Sequence, residues 1–548
     1  MPSKQGRIVL GKRMLIEKSL MPKKAIEKRY KVEIFKESMC DNCDNKPLRP
    51  NDLCNGCEGF IAAYKLYKEK EKAWSVPQGD FLALSKVLER KGIDFKVVDK
   101  RKAIPFDNPI KWTGKLFGEG HIDENGIKRV NQKKVLKQWF KYETGILQAK
   151  PRSGKTPMSV YASIRLGQKT VVLCDRFELI NQFYKTYMGD PKKGRPAMSN
   201  IPKLQKKTGK EIIRVATKPK DLLNLEGVDI LLINYQKLVR RPEDFAKIVN
   251  GKFSILIVDE VHGSGAEGYL RVVSNCSVRH RLSLTATPRR KDNRHRLVER
   301  IMGPVVAKSD ASSLIPALDL YYSQSTPKTK YKSWMPAMNW LCSNKGLRVE
   351  LIKNIFKDLR DGHKVIIVPL DRKNHIDAMV KMVNHQARKN NAKRGEKWPK
   401  DLAIKFYNGV NREEVLDKVD DGKPRVLFAI RSMIKQGIDF ALPSKMHVFI
   451  PMSASNDRET GAPMFEQLSN RVCTPAVKKA PEITIWVHNV QMFRSCVIGL
   501  GWNEIATNRY NGKEGKYRIA KNFFEQLKDL SKQKAKTKAS SNAKSFNW

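Results

Sequence analysis

From about residue 129 onward, short unbroken apolar runs alternate with stretches in which apolar residues recur every three or four positions. The runs of a first unit, spanning 129–306, are the strand opening Gly145–Thr156 (GILQAKPRSGKT), Thr170–Cys174 (TVVLC), Asp229–Ile233 (DILLI), Ile255–Val258 (ILIV) and Leu282–Pro288 (LSLTATP). Strands apolar on both faces are those covered by helices on both sides, so the pattern predicts an α/β fold with a parallel sheet. After a linker containing Ser323–Pro327, the same alternation returns with Lys364–Val368, Arg425–Ala429, Met446–Ile450 and Ile483–Val487. Two tandem parallel sheets are expected.

Outside these units the pattern is weaker. Residues 1–36 are rich in Lys and Arg with scattered apolar positions (Ile8, Val9, Leu15, Ile16), which reads as a basic arm ordered by nucleic acid or a frayed end. Gly59–Lys70 has helical spacing, Phe81–Lys91 is amphipathic, and Phe95–Asp99 reads as a strand. The expected organisation is a basic arm (1–36), a four-cysteine module with a helix (37–72), a small α+β accessory nucleic-acid-binding domain (73–128), two α/β units (129–325 and 326–505), and a basic C-terminal helix and tail (506–548). In the accessory segment Lys100, Arg101 and Lys102 could touch nucleic acid, while Trp74 and Trp112 are expected in packing.

Composition changes this picture in one respect. The 548 residues carry a formal charge of +50 and a pI near 10.0, an excess that favours a polyanionic partner, nucleic acid first. Binding should then weaken steeply with salt, by a log–log slope of about −0.9 per duplex phosphate neutralised. No stretch approaches the roughly 20 apolar residues of a membrane span, and the N-terminus lacks the core of a signal peptide, so a cytoplasmic protein is expected.

Chemistry concentrates at two places. In Gly145–Thr156 an apolar strand runs into a loop ending at Arg152-Ser153-Gly154, with a helix opening at Lys155-Thr156. Backbone N–H groups of such a loop can wrap a polyphosphate, the Lys ammonium can meet the outer phosphates, and the Thr hydroxyl can hold Mg²⁺. Ala149 stands where the strict pattern has Gly. Downstream, the 255–258 run ends in Asp259-Glu260-Val261-His262, which delivers two carboxylates to the carboxyl edge of a sheet, where doubly wound folds bind ligand. Separately, Cys40, Cys43, Cys54 and Cys57 form two C-x-x-C knuckles at tetrahedral spacing for a structural Zn²⁺. The remaining cysteines (Cys174, Cys276, Cys342, Cys473, Cys496) are expected to be small apolar residues.

These pieces, in this order, resemble a superfamily two helicase or translocase of the DExH kind over roughly 129–490. The resemblance implies two RecA-like motor units and the following roles. Gln132 would read adenine. Arg152, Ser153, Gly154, Lys155 and Thr156 would hold ATP, with Thr156 and Asp259 on Mg²⁺ and Glu260 activating water. His262, Ser283, Thr285 and Thr287 would couple the ATP and nucleic-acid sites. In the second unit Gly437 and Asp439 match the Gly-x-Asp element, and Gln467 and Arg471 the glutamine and first arginine of the last motif, with Arg471 as arginine finger. Nucleic-acid contacts would come from Arg176, Gln182 and Arg372, although Arg372 also suits a solvated helix start. The pattern departs at Asn470 and Thr474, where the family has glycine and a second arginine, so that either Arg471 alone or nearby Lys478 serves as the finger or turnover is slow.

More narrowly, the chain looks like the phage and large-virus branch that includes UvsW-type recombination helicases, with Gly114-Lys115-Leu116 ahead of the glutamine as in that branch. The implied function is an ATP-dependent DNA helicase on branched or forked DNA in replication, recombination or repair. An RNA helicase or transcript-release translocase keeps the motor and changes the track. A zinc-containing nucleic-acid-binding factor with a decayed motor is the non-enzymatic alternative.

Overall fold

A computed structural model describes residues 6–35, 61–121, 130–149, 153–191, 194–234, 242–261, 272–274, 276–285, 294–309, 316–323, 334–407, 409–410, 412–423, 425–435, 442–450, 468, 471–472 and 481–488. Two compact units divide the described residues, one before Ser313 and one from Ser313 onward.

The first unit opens with β1 (Gly6–Leu10), β2 (Met14–Glu17), α1 (Lys23–Tyr30), β3 (Lys31–Phe35), β4 (Ile61–Lys65), β5 (Lys68–Glu69), β6 (Ala73–Val76), α2 (Phe81–Arg90) and β7 (Phe95–Asp99). Five of these strands make a sheet in the order β5-β6-β2-β1-β7. This corrects the expected basic arm, because residues 6–17 supply two central strands. Ile8, Leu10, Met14 and Ile16 are buried with Trp74, Leu84 and Leu88 while Val9 and Leu15 between them stay half-buried, a period-two burial that the apolar Val9 and Leu15 hide in the sequence. It also moves the start of the accessory domain from 73 to Gly6. The helix expected over 59–70 is instead β4 and β5, held by antiparallel pairing of β3 with β4 from Lys31↔Lys65 to Phe35↔Ile61. Trp74 is buried and donates from Nε1 to the Met21 carbonyl at 2.9 Å, the packing role anticipated for it. The four knuckle cysteines lie outside the described residues, between β3 and β4.

A seven-stranded sheet follows. Its elements are α3 (Gln132–Phe140), β8 (Thr144–Gln148), α4 (Lys155–Leu166), β9 (Thr170–Cys174), α5 (Phe177–Met188), α6 (Ile201–Thr208), β10 (Ile213–Ala216), β11 (Ile230–Asn234), α7 (Pro242–Val249), β12 (Ile255–Val258), β13 (His280–Thr285), α8 (His295–Met302) and β14 (Val305–Lys308). The order is β10-β11-β9-β12-β13-β8-β14, with every pairing parallel. Residues 101–121 belong to this body rather than to the accessory sheet: the backbone N–H groups of Asp107 and Asn108 donate to the buried Asp229 carboxylate at 2.8 and 3.1 Å. Asn131 caps α3, its side chain accepting from the Lys134 N–H at 3.0 Å.

The accessory sheet and this sheet are joined by a buried ionic hub. Asp80 is 1% exposed and accepts from Arg29 at 2.6 and 2.9 Å and from Arg300, on α8, at 2.7 Å. Beside it Gln78 donates to the Val278 carbonyl at 2.7 Å. A Cβ on Gly79 would lie 2.1 Å from the Ile301 carbonyl oxygen, so only glycine allows this approach.

The second unit contains β15 (Ala317–Tyr322), α9 (Trp334–Ser343), α10 (Lys345–Arg360), β16 (Val365–Leu370), α11 (Lys373–Arg394), β17 (Ala403–Phe406), α12 (Arg412–Asp420), β18 (Val426–Ile430), α13 (Arg431–Lys435), β19 (Pro443–Val448) and β20 (Glu482–Val487). Its sheet is parallel throughout, in the order β15-β20-β19-β16-β18-β17. The prediction of two tandem parallel sheets holds, but the boundary at 325/326 does not. β15 precedes it and pairs along its whole length with β20. Its sequence, ALDLYY, is interrupted by Asp319 and lacks the unbroken apolar run of the central strands, as befits an edge strand. Cys174, Cys276 and Cys342 are buried, as anticipated; Cys473, Cys496 and the C-terminal helix and tail lie outside the described residues.

Two buried histidines make both units acid-sensitive. His488 Nε2 lies 2.8 Å from the Phe449 carbonyl oxygen, which can only accept, so Nε2 carries the proton and Nδ1 faces the Ser323 hydroxyl at 3.0 Å. Burial pushes His488 down to about 4. His280, buried and 3.2 Å from Glu143, is also pushed down to about 4 by burial, then by Arg279 and Arg101. Between the unfolded value near 6.5 and about 4 the unfolded chain binds the extra protons, so stability is lost as pH falls through that window, by up to about 3 kcal/mol per ring. An NMR titration of the ring protons should place both midpoints near 4; midpoints near 6.5 would refute the assignment.

Candidate functional site

Because the first sheet is parallel, the carboxyl ends of β8, β12, β13 and β9 share one edge, and the candidate residues arrive there together. β13 lies between β8 and β12, so the strand bearing the loop and the strand bearing the carboxylates stand about 10 Å apart. That gap suits a phosphate chain and a cation.

On the β8 side, Ala149 is buried and its N–H donates to the Thr285 carbonyl at 2.9 Å, tying the loop's start to β13. Gly154 caps α4 in the left-handed region, φ +80°. A Cβ there would sit 2.1 Å from Gln132 Nε2, so backbone freedom and packing both select glycine. The N-terminus of α4, with its unpaired N–H groups and positive dipole end, then faces the site. Thr156 is buried in the first turn, and Ser153 Oγ is buried with no hydrogen-bond partner among the described residues. Gln132 opens α3 and bridges two segments: its Oε1 accepts from the Phe117 N–H at 3.0 Å and its Nε2 donates to the Ser153 carbonyl at 3.1 Å.

On the β12 side, Asp259 is buried and accepts from the Glu260 N–H at 2.9 Å. Glu260 has φ +48°, a left-handed conformation that costs a non-glycine residue about 1–2 kcal/mol. Lys155 Nζ lies 3.4 Å from Glu260 Oε1, so the helix lysine and the strand carboxylate meet across the gap. Burial raises the Asp259 carboxyl above its ordinary range and the Glu260 charge raises it further, with Lys155 opposing both. Asp175, at the end of β9, adds to this repulsion. It was not among the anticipated site residues, although an acidic residue directly after TVVLC was the available signal.

Ser283 and Thr285, anticipated as coupling residues, are buried in β13 between the two arms of the site. Arg176 precedes α5 and lies 3.4 Å from Asp175, while Gln182 is exposed on α5. In the second unit Arg372 precedes α11. It neighbours Asp371, which takes a bidentate pair from Arg431 at 2.5 and 2.6 Å. Burial lowers the His375 pKa, and the charges of Arg348 and Arg372 lower it further, so cations gather at the carboxyl edge of that sheet. Arg471 is buried, with Nε donating to the Ile434 carbonyl at 3.0 Å. Arg152, His262, Thr287, Gly437, Asp439 and Gln467 lie outside the described residues, as do Cys40, Cys43, Cys54 and Cys57.

Residues 127–290 match the family described as Type III restriction enzyme, res subunit. The DNA 3'-5' translocase XPB2 of Sulfurisphaera tokodaii is 24% identical over 341 residues, 56% of this chain and 71% of that protein. A protein of Escherichia phage T5 named as a probable helicase is 23% identical over 395 residues, 70% of this chain and 74% of that one. A protein of Acanthamoeba polyphaga mimivirus, named as an ATP-dependent RNA helicase, is 22% identical over 277 residues, 46% of each chain. These likenesses support a place for the chain in the helicase superfamily.

Proposed function

We propose that this chain is an ATP-driven motor that tracks along DNA, acting on forked or branched substrates in replication, recombination or repair. The observation that carries the motor reading is the meeting of Lys155 with Glu260 beside buried Asp259, at the end of a loop and helix built to receive phosphates. The name of the Sulfurisphaera translocase favours DNA as the track, and the UvsW-like, DExH-type reading rests on the order of the motifs in the sequence. Ser153 Oγ, a hard oxygen donor without a partner among the described residues, and the mutual repulsion of Asp259 and Glu260 are what a polyphosphate with a divalent cation would satisfy.

In this reading Thr156 and Asp259 would hold Mg²⁺, which would supply neutralisation of phosphate charge. Lys155 leaves Glu260 for the outer phosphates of ATP, and Glu260, freed of its ion pair, orients and deprotonates the attacking water. Gln132 keeps the loop in register with Phe117 while its second amide proton faces the adenine. Arg471 supplies positive charge for the phosphoryl group as it passes to water and ADP leaves. His262, Ser283, Thr285 and Thr287 transmit nucleotide state to Arg176, Gln182 and Arg372 on the backbone phosphates of the track, where a motor must not depend on base identity.

The test is ATP hydrolysis at fixed low salt with no nucleic acid, then single-stranded DNA, forked DNA and RNA. Stimulation strongest on forks is expected. Stimulation by RNA alone would replace this reading with a transcript-handling motor, which the mimivirus relative's name favours. No hydrolysis under any condition would sink the motor reading. We also assign Cys40, Cys43, Cys54 and Cys57 to a structural zinc on their spacing. Elemental analysis of the purified chain should find about one zinc per molecule, lost in Cys54→Ser; no bound zinc would refute it.

A further inference from the structure

On the flank of the first unit, α3 and α4 enclose a cavity of about 920 Å³ with the segment 112–116. Its volume lies within the roughly 300–1,000 Å³ typical of ligand sites. Lys133, Leu136, Lys137 and Phe140 recur at i, i+3, i+4 and i+7, so they share one face of α3. Tyr161 and Arg165, four residues apart, face them from α4, at its end remote from Lys155.

The lining has two chemistries. Lys115, Lys133, Lys137 and Arg165 are exposed cations, and none is in an ion pair among the described residues. Glu143 is the one carboxylate in the lining and lies 3.2 Å from His280. Between the cations stand three half-buried rings. Trp112 meets Tyr161 edge-on, with ring centroids 5.5 Å apart at 87°, and Phe140 meets Tyr161 at 6.3 Å and 78°. No two of these three rings are stacked on each other, so ring faces remain for a flat guest. Fixed aromatic rings ringed by unpaired cations are the chemistry that holds nucleotides of a single strand, bases on rings and phosphates on Lys and Arg.

We infer that this cavity is a second contact site for single-stranded nucleic acid, separate from the track residues at the carboxyl edges of the sheets. The net charge of +50 favours a polyanion over a neutral guest. A strand anchored here would be held by the body of the first unit throughout a hydrolytic cycle, as a tether for the displaced or incoming strand. This deepens the motor reading and rests on it.

The experiment compares the full chain with Lys137→Ala/Arg165→Ala and with a control pair, Lys206→Ala/Lys207→Ala, exposed on α6. Affinity for a labelled oligothymidylate of about 20 nucleotides is followed by fluorescence anisotropy across a salt series. The cavity pair should weaken binding at low salt about tenfold or more and flatten the log–log salt slope by about 1.4, since each phosphate contact contributes about 0.7 on a single strand. The control pair should change neither, and all variants should melt with the parent. An unaltered slope in the cavity pair, or an equal loss in the control pair, overturns this inference alone. Absence of binding by the parent chain overturns the motor reading and this one together. Two ADP molecules bound per chain, one of them lost in the cavity pair, would overturn the strand in favour of a free nucleotide.

Discussion

Lys155→Ala is expected to lower ATP hydrolysis by about a thousandfold or more while nucleic-acid affinity stays within about threefold of the parent. The ammonium is the group the structure places between the phosphate loop and the carboxylates, 3.4 Å from Glu260. Phosphoryl transfer depends almost wholly on positioning and on preorganised charge, and removing one cationic group from such a site costs several kcal/mol of transition-state stabilisation. Alanine also leaves Asp175, Asp259 and Glu260 repelling one another without a cation between them, so bound ATP would meet a site of the wrong sign. The check is steady-state hydrolysis beside oligonucleotide binding on one preparation. Retention of a tenth of the activity would deny Lys155 its role, and loss of both properties in a folded variant would mean that the loop serves the track and not the nucleotide.

Asp80→Ala should destabilise the first unit by about 3–5 kcal/mol. The substitution strands two guanidinium groups, Arg29 and Arg300, whose side chains are 15% and 25% exposed and whose shared carboxylate is almost fully enclosed. Removing one partner of a buried ionic cluster costs more than the cluster contributes, because the remaining charges have lost both water and counterion. Since these arginines come from opposite sides of the junction, the loss should appear first as separation of the accessory sheet from the seven-stranded sheet. Urea unfolding with limited proteolysis reads both quantities. A change below about 1 kcal/mol, or cleavage no faster than in the parent, would show that the junction is held by apolar contact alone. The wall of carbonyl oxygen 2.1 Å from a hypothetical Gly79 Cβ marks the same junction as one that cannot be moved by a methyl group without displacing α8.

The reach of the amino-acid pattern differs across the chain for physical reasons. Where strands are covered on both faces, as in TVVLC and ILIV, burial demands an uninterrupted apolar run, and such runs identified central strands of both parallel sheets to within a few residues. Loop and carboxylate motifs were equally legible, since phosphate binding demands particular residues at the ends of those strands. The sequence alone therefore determined two tandem α/β units and singled out Lys155, Asp259 and Glu260, which the fold gathers at one edge of the first parallel sheet. Tertiary structure decided what depends on partners distant in sequence. Gly6–Leu10 and Met14–Glu17 became sheet because Ile8 and Leu10 could be sealed by Trp74 and Leu84 from beyond residue 70, and β15 became an edge strand because β20, some 160 residues later, offers it a parallel ladder. The left-handed Glu260, the Asp80 hub and the aromatic-cationic cavity between α3 and α4 likewise have no local signature. Each arises where separately stable elements come together, and the free energy that fixes it is a property of that contact and not of either segment.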